Sequence, residues 1–491
     1  MSSCRASLAR FVIAVLMAVL AVAQVAAQPP GAVGVRGAGP NVWTDQQYAE
    51  GLARDPSRNR LDLYVPNGTA SAPPLVMFVH GGTWTGGNKE QFEFLGRRFA
   101  AEGIACAVAN MQQYPFARPD AMVVDCAHAL GWLHARAREF GYDGDRLFVM
   151  GHSSGAHLAA WLAFDEAKLA DAGVPRAAVR GAILLSGVYD VRPRHQALDA
   201  VFGHDPAFRA AASPFRHVDR ADPPAFVVWG EHELPGLALT GRVLGDRLWD
   251  AAVPFVIDTL AGHDHADYLF QLGAAHDPVL ARIVAFVRDP AAATAHTAPP
   301  PSPGAVLWVA NDAAERALAQ VARRALAMVG VAVQIVDDAR SGDDVAARFR
   351  ALRAGAGAPA PSPTFVAGCG LGGLLAACAP LQCDADGLRG RIVVAAPLGQ
   401  DSLAAAGCSD ARAQLGVLVA GAARAPLLLL QGELDAVAVR GDALQLARNL
   451  LRAGVAVDPV ELVGTCGADA IARLAPDDDL LLPLLLAFLR S

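Results

Sequence analysis

The chain has 491 residues, more than one hydrophobic core usually organises, so two or three domains are expected. Hydrophobic residues make up 53% of the sequence and charged residues 18%, a balance typical of globular proteins. The formal net charge of −7 excludes the strongly basic character of proteins that bind nucleic acid or anionic lipid. We therefore expect no nucleic-acid partner.

The first 27 residues predict an export signal. A short basic stretch with Arg5 and Arg10 precedes an uncharged apolar run over residues 11–25, and small residues then end at Ala27. The apolar run is shorter than the ~20 residues that a membrane-spanning helix needs. We expect cleavage after Ala27, no stable membrane span afterwards, and a periplasmic or extracellular location. An uncleaved membrane anchor is the alternative.

Export would place seven of the eight cysteines in an oxidising compartment. Because seven is odd, at least one thiol must stay free or pair between chains. Cys378 and Cys383 are close enough in sequence to form a local disulfide, whereas Cys106 lies in an apolar run and is expected to be a buried thiol. The spacing fits neither a C-x-x-C motif nor a zinc site. We expect no metal and no other cofactor.

Strand-like and helix-like segments alternate from about residue 42 to residue 288 at the spacing of βαβ units. This pattern predicts an α/β domain, a mostly parallel sheet with helices on both faces. Residues 28–41 are rich in Gly, Pro and Ala and are expected to be disordered. Residues 289–304 are rich in Pro and Ala and are expected to form an extended linker.

Residues 151–155 read G-H-S-S-G, directly after an apolar strand-like run and before a helix-forming stretch. This is the strand–turn–helix context of the G-x-S-x-G nucleophile elbow, which exposes a serine hydroxyl at the edge of a sheet. The pattern predicts Ser153 as a nucleophile. Gly151 and Gly155 would let the strand and the helix approach closely, because they carry no Cβ.

An earlier strand-like run, residues 74–79, leads into a histidine and two glycines. In hydrolases with a nucleophile elbow, such a loop donates backbone N–H groups to the negatively charged oxygen of the tetrahedral intermediate. The residue after the nucleophile donates as well. The predicted oxyanion-hole donors are therefore Gly81, Gly82 and Ser154. His80 is expected to hydrogen-bond the loop and not to act as a base.

The partners of the serine should follow it in the order carboxylate, then histidine. Glu231 and Glu233 both follow an apolar strand that ends at Gly230, and either carboxylate is acceptable there. His263 and His265 both stand in the loop after the next strand. The order of these residues thus predicts a Ser-Glu-His triad and leaves two choices for each partner.

Three segments resemble the branch of α/β-hydrolases that holds kynurenine formamidases and small carboxylesterases: residues 60–66, 78–89 and 151–157. In that branch the acid stands three residues after a glycine, as Glu233 does here. The histidine loop of the branch is similar to residues 264–268. The resemblance therefore implies Glu233 over Glu231 and His265 over His263.

The resemblance covers about residues 42–288 and implies an α/β-hydrolase fold for this catalytic domain. One segment departs from the pattern of the branch. Where the branch has Asn-Tyr-Arg-Leu-x-Pro, residues 110–115 read N-M-Q-Q-Y-P, without the arginine. The pocket wall formed by this segment is therefore expected to differ from that of the branch.

The second half of the chain, residues 305–491, repeats the same order of strands and helices. Residues 368–373 fit G-x-G-x-x-G of dinucleotide-binding domains, and they also fit a nucleophile elbow whose serine has become Gly370. The motif does not follow the first strand of its half, and the loop around Cys466 contains no histidine. We therefore interpret this half as a degenerate α/β-hydrolase-like domain without catalytic residues, and not as a nucleotide site.

Taken as a whole, the sequence predicts an exported serine hydrolase that cleaves carboxylic esters with short acyl groups through an acyl-enzyme intermediate. An arylformamidase-like amide hydrolase and a non-catalytic binding protein derived from a hydrolase are the alternatives. An exopeptidase would need an acidic anchor for the substrate amine, and no residue is identifiable as that anchor. The expected partner is a small-molecule ester, and the oligomeric state stays open.

Overall fold

The computed structural model describes most of the chain up to residue 295 and separate segments after residue 304. The described residues are 39–50, 55, 57–192, 196–234, 236–295, 305–310, 313–328, 331–337, 339, 342–354, 363–369, 390–394, 427–432, 457–462 and 481–489. The expected signal peptide, Gly370, Cys378, Cys383 and Cys466 lie outside them. No described helix combines the length and the apolar composition that crossing a bilayer requires.

Strands between residues 41 and 264 form a first sheet. In chain order they are β1 (Asn41–Gln47), β2 (Arg60–Val65), β3 (Leu75–Val79), β4 (Ala105–Asn110), β5 (Leu147–His152), β6 (Val179–Leu185), β7 (Ala225–His232) and β8 (Phe255–Asp264). They lie side by side in the order β1-β2-β4-β3-β5-β6-β7-β8. The strand β2 is antiparallel to its neighbours β1 and β4. The neighbouring strands in the remaining part of the sheet, β4-β3-β5-β6-β7-β8, are all parallel.

Helices connect these strands. They are α1 (Glu93–Ala101), α2 (Pro119–Phe140), α3 (Ser154–Phe164), α4 (Glu166–Asp171), α5 (Gln196–Phe202), α6 (Pro206–Ala211), α7 (Leu237–Asp250), α8 (Asp267–Gln271), α9 (Pro278–Arg288) and α10 (Pro290–Thr294). Short 3-10 helices span Lys89–Phe92, Arg176–Ala178 and Pro214–Arg216. The helices α5 and α6 belong to the long insert between β6 and β7.

The central parallel strands β3, β4 and β5 are buried on both faces. Along β3, Leu75 and Met77 contribute to one hydrophobic cluster, whereas Val76 and Phe78 contribute to the other. This division follows from the alternation of side chains along a strand. Continuous apolar strands of this kind are typical of parallel sheets with helices on both sides. The structure thus confirms the α/β-hydrolase architecture predicted for this part of the chain.

One local prediction is wrong. Residues 290–294, expected to be extended, form the helix α10. The Asp289 side chain accepts a hydrogen bond from the Ala292 N–H, and Pro290 occupies the first turn. A capping carboxylate and a proline with a helix-compatible φ both favour a helix start, and alanine favours its continuation.

A second sheet lies in the C-terminal half. Its described strands are β9 (Ala305–Ala310), β10 (Val333–Asp337), β11 (Pro363–Cys369), β12 (Gly390–Val394), β13 (Leu427–Gly432) and β14 (Val457–Leu462), with helices α11 (Ala313–Met328), α12 (Gly342–Ala354) and α13 (Leu481–Leu489). The strands are parallel and lie in the order β10-β9-β11-β12-β13-β14. The strands β4-β3-β5-β6-β7-β8 follow the same order in the first sheet. Leu484 and Phe488 of α13 share a hydrophobic cluster with Leu239 and Val243 of α7.

Candidate active site

The turn between β5 and α3 holds Ser153 in a conformation that side-chain-bearing residues rarely adopt, with φ 55° and ψ −123°. The Ser153 N–H donates to the Leu185 carbonyl at 2.9 Å, which ties the turn to β6. A Cβ on Gly155 would lie 2.1 Å from the Val79 carbonyl oxygen, and one on Gly151 would lie 2.3 Å from the Gly155 carbonyl. Only glycine permits this close approach of strand and helix.

His265 and Glu233 meet Ser153 at the same edge of the sheet, because they follow the ends of the adjacent strands β8 and β7. The His265 ring joins the two other side chains: its Nδ1 lies 2.6 Å from Glu233 Oε1, and its Nε2 lies 2.9 Å from Ser153 Oγ. A carboxylate can only accept, so Nδ1 carries the proton and Nε2 is left to accept from the serine hydroxyl. The side chain of Glu233 is almost fully buried, with 3% exposure.

Glu233 stays charged although it is buried. Burial by itself raises its pKa, but the hydrogen bond and charge of His265, the Ser186 hydroxyl and the Leu234 N–H together hold the pKa below its ordinary value. The Leu234 N–H donates to Glu233 Oε1 at 2.7 Å. The carboxylate is therefore ionised at neutral pH and can stabilise positive charge on the imidazole.

The alternative partners point elsewhere. Glu231 is exposed, and its carboxylate accepts a hydrogen bond from the Gly262 N–H at 2.8 Å. His263 Nδ1 lies 3.1 Å from the Asp267 carboxylate. The geometry thus brings Glu233 and His265, and not Glu231 and His263, to Ser153.

The loop after β3 passes directly against the nucleophile. A Cβ on Gly81 would lie 3.1 Å from Ser153 Cβ. The next three residues, Gly82, Thr83 and Trp84, have φ values of 129°, 53° and 59°. Such a run of positive φ is strained for Thr83 and Trp84, so the surrounding structure must hold it. Gly81 and Ser153 are thus neighbours, as an oxyanion hole requires.

Side chains outside the motif hold this loop. Gln113 Nε2 donates to the carbonyls of Gly86 and Gly87 at 2.6 and 2.9 Å, and Arg58 donates to Gly87 at 3.2 Å. Lys89 Nζ forms a buried ion pair with Asp62 at 2.8 Å. Gln113 belongs to the segment that departs from the pattern of the branch. A polar residue in a turn gives no sequence signal of this role.

Two further histidines support the site. His152 Nε2 donates to the backbone carbonyl of His265 at 2.7 Å, which links the nucleophile turn to the histidine loop. His157 Nε2 donates to the Ala212 carbonyl at 2.8 Å, so its Nδ1 accepts from the Trp84 indole N–H at 3.3 Å. The two side chains thus tie the turn and the strained loop to the rest of the fold.

Burial lowers the pKa of three histidines: His80 to about 4, His152 to about 3 and His157 to about 4. The unfolded chain takes up these protons near pH 6.5, whereas the folded protein takes them up only at lower pH. The free energy of unfolding should therefore be highest above pH 6.5 and fall as the pH drops towards 4.

Urea unfolding at pH 7, 6, 5 and 4.5 measures this dependence, and up to about three protons should be taken up on unfolding. His157→Gln, whose amide can replace both hydrogen bonds, should reduce the uptake by about one proton. His204→Gln, at an exposed position, is the matched control. A free energy of unfolding that does not change over this range would contradict the prediction.

Cys106 and Cys126 are free and buried, and burial raises the pKa of both thiols. Within the described ranges, no group of three or more His, Cys, Asp and Glu side chains could hold a metal ion. A cavity of about 610 Å³ lies where β5, β6 and β7 begin, and Arg146 and Arg180 help to line it. Ser153 follows the end of β5, so this cavity lies at the opposite edge of the sheet.

Residues 61–234 match the family model BD-FAE. The chain is similar to "Probable isoprenylcysteine alpha-carbonyl methylesterase ICME" of Oryza sativa subsp. japonica, with 36% identity over 113 residues, 23% of this chain and 27% of that protein. It is 29% identical to "Esterase LipQ" of Mycobacterium tuberculosis over 217 residues, 41% of this chain and 51% of that protein. It is 30% identical to "Kynurenine formamidase" of Salmo salar over 134 residues, 27% of this chain and 43% of that protein.

The chain thus spans between about a quarter and a half of the length of these curated relatives. The matched residues 61–234 run from β2 to the loop after β7, and they include both the nucleophile turn and the loop after β3. This part of the chain has the α/β-hydrolase architecture, and it is similar in sequence to esterases and to a kynurenine formamidase.

Proposed function

We propose that the protein is a serine hydrolase that cleaves carboxylic esters. Ser153 is the nucleophile, His265 is the base, and Glu233 is the carboxylate that orients and stabilises His265. The observation that carries this proposal is the continuous hydrogen-bonded chain from Ser153 Oγ through the His265 ring to Glu233. Nucleophile, base and orienting carboxylate in this geometry are what acyl transfer requires. A binding protein that had lost its chemistry would have no need to keep all three.

The proposed reaction uses these groups in turn. Ser153 Oγ attacks the ester carbonyl carbon while its proton passes to His265 Nε2, and Glu233 stabilises the imidazolium. The backbone N–H groups of Gly81, Gly82 and Ser154 would receive the negative oxygen of the tetrahedral intermediate. His265 then gives its proton to the departing alcohol, which leaves an acyl-enzyme. Water, activated by the same imidazole, releases the acid.

An ester substrate is favoured by the similarity of the chain to a methylesterase and an esterase. A short acyl group is favoured by the packing beside the loop after β3. The rings of Trp84, His157 and Phe202 lie 5.0 to 5.4 Å apart, centre to centre, and all three are buried. We place the acyl group of the substrate against this buried cluster, whose packing would leave little volume for a long chain. Amide hydrolysis is the second candidate, because one relative is named as a formamidase.

A fluorophosphonate probe tests the reaction class, because it labels only an activated serine. We expect one label, mapped to Ser153 by peptide mass spectrometry, and none within residues 305–491. An unlabelled wild-type protein that is folded would contradict the proposed function. Labelling of the Ser153→Ala variant would show that another residue reacts.

A series of p-nitrophenyl esters tests the acyl preference. The acetyl and butyryl esters should have kcat/KM values at least about tenfold above the octanoyl ester, since the proposed acyl site would not accommodate the longer chain. A matched N-formyl anilide tests the second candidate. A preference for octanoyl esters would contradict the short-acyl proposal, and faster cleavage of the anilide would favour the amide hydrolase.

We also propose that the protein is exported and that residues 305–491 are a degenerate copy of the hydrolase fold with a supporting role. Export is supported by the basic, apolar and small-residue sequence up to Ala27. The degenerate copy is supported by the shared strand order of the two sheets. A dinucleotide-binding sheet has the order 3-2-1-4-5-6 and carries its glycines after the first strand, whereas here the motif begins at Gly368, in the third strand of its half. The packing of α13 on α7 favours a supporting role.

A further inference from the structure

Only one oxygen of the Glu233 carboxylate is used by the triad. Oε1 accepts from both His265 Nδ1 and the Leu234 N–H. Oε2 is buried and accepts no hydrogen bond from the residues that the structure describes. A buried carboxylate oxygen without a donor is costly, because it has lost its water and gained nothing in return. A group that can donate to Oε2 would therefore have a large effect on this carboxylate.

The hydroxyl of Ser186 is such a group. Ser186 follows the end of β6, next to β7, and its hydroxyl is one of the groups that lower the Glu233 pKa. Its backbone is held in the left-handed region with φ 47°, where side-chain-bearing residues are rare. The Ser186 N–H donates to the Val228 carbonyl of β7 at 2.8 Å, which holds this conformation beside the strand that leads to Glu233. Strain of this kind is kept where it positions a functional side chain.

The Tyr268 hydroxyl completes the arrangement. It lies 2.6 Å from Ser186 Oγ, and both residues are fully buried. Either oxygen could donate in this pair, but the nearby negative charge decides the direction. If the Tyr268 O–H donates to Ser186 Oγ, the Ser186 proton is free to point to the carboxylate. The reverse direction would point a lone pair of the serine at a negative oxygen.

We propose that Ser186 and Tyr268 form a relay of two hydroxyl groups that positions Glu233, in which the Ser186 hydroxyl directs its proton at the second oxygen of the carboxylate. Both are positioning residues, since neither touches the reacting atoms. The inference rests on the proposed function, in which Glu233 is the acid of the triad. The relay keeps the carboxylate ionised and oriented towards His265. The negative charge of Glu233 is then stabilised by two groups, the Ser186 hydroxyl and the imidazole.

The charged and titratable groups around Glu233 come from every neighbouring element. They are His265 after β8, His152 at the end of β5, Tyr189 after β6 and Tyr268 in α8, and Asp264 acts on His265 from β8. His152 is neutral, because burial holds its pKa at about 3. Removal of the Ser186 hydroxyl therefore changes the electrostatics of the Glu233–His265 pair and leaves the protonation of its neighbours unaltered.

Ser186→Ala, Ser186→Gly and Tyr268→Phe test the relay. Both serine variants should lower kcat roughly tenfold or more with little change in KM, because the hydroxyl directed at a charged group is lost and no group that binds substrate is touched. Tyr268→Phe should act in the same direction with a smaller effect, since Ser186 remains. Ser186→Gly separates the hydroxyl from the backbone strain, because glycine adopts a positive φ without cost.

The pH profile of kcat/KM distinguishes positioning from a general loss of packing. Without the Ser186 donor, Glu233 interacts more strongly with a protonated His265, so the acid limb should move to higher pH in both serine variants. Tyr142→Phe is the matched control: Tyr142 is buried, donates to the Leu133 carbonyl at 2.6 Å and lies outside the site. It should lower the melting temperature without moving the limb.

A kcat within twofold of wild type in both serine variants would overturn the inference. An unchanged acid limb with a loss of melting temperature like that of Tyr142→Phe would overturn it too, since that is the behaviour of a structural residue. Fluorophosphonate labelling of the wild-type protein keeps the two proposals apart. If Ser153 is not labelled, the proposed function fails. If Ser153 is labelled and the relay variants behave like wild type, only the relay fails.

Discussion

Ser153→Ala is expected to lower kcat for ester hydrolysis by at least about a thousandfold, because no other nucleophile can form the acyl-enzyme. The rate that remains would come from substrate binding and oxyanion stabilisation alone. Fold stability should stay within about 0.5 kcal/mol of wild type, since alanine keeps the Cβ and the backbone conformation of serine. Steady-state kinetics and thermal unfolding of the same preparation measure both quantities.

Ser153→Gly is the matched control for the strained backbone. Glycine adopts the observed φ of 55° at no steric cost, so this variant should be as inactive as Ser153→Ala and at least as stable. If either variant keeps more than about a thousandth of the wild-type kcat, Ser153 is not the nucleophile. A large loss of stability in Ser153→Ala would instead mean that the turn depends on the hydroxyl.

Local sequence patterns were sufficient to predict the structure of the two loops that meet at Ser153. The G-x-S-x-G motif and the loop around Gly81 each combine a strand with glycines that the backbone geometry requires, so their structure is encoded within a few residues. The choice of Glu233 and His265 rested on the resemblance to a known branch. Spacing alone left two carboxylates and two histidines, because it does not show which way a side chain in a loop points.

The supporting residues could not be predicted from the sequence. Ser186 and Tyr268 are 82 residues apart, and His152 is 113 residues from His265. Each is an ordinary residue type in its own segment, and its role arises only when the parallel strands bring distant loops to one edge of the sheet. The linker predicted over residues 289–304 was wrong at residues 290–294 for a different reason. Proline and alanine are compatible with either an extended or a helical conformation, and the Asp289 cap favours the helix.

His265→Ala is expected to lower kcat about as much as the loss of Ser153, because nucleophile and base act as one unit. His263→Ala should keep most of the activity, since His263 contacts the Asp267 carboxylate and not Ser153. The two variants are matched, because they remove the same side chain two residues apart in one loop. Comparable losses in both would mean that the loop itself, and not the His265 imidazole, limits the rate.

Glu233 and Glu231 allow the same kind of matched comparison for the carboxylate of the triad. Glu233→Gln should lower kcat about a thousandfold or more, since a neutral amide cannot stabilise the imidazolium and can select the wrong tautomer of His265. Glu231→Gln should have little effect, because Glu231 is exposed and bonds only the Gly262 N–H among the described contacts. The result that would overturn the assignment is a reversed order of the two variants. In that case the fold and Ser153 would stand, and the acid would be Glu231, which must then turn towards His265 when substrate binds.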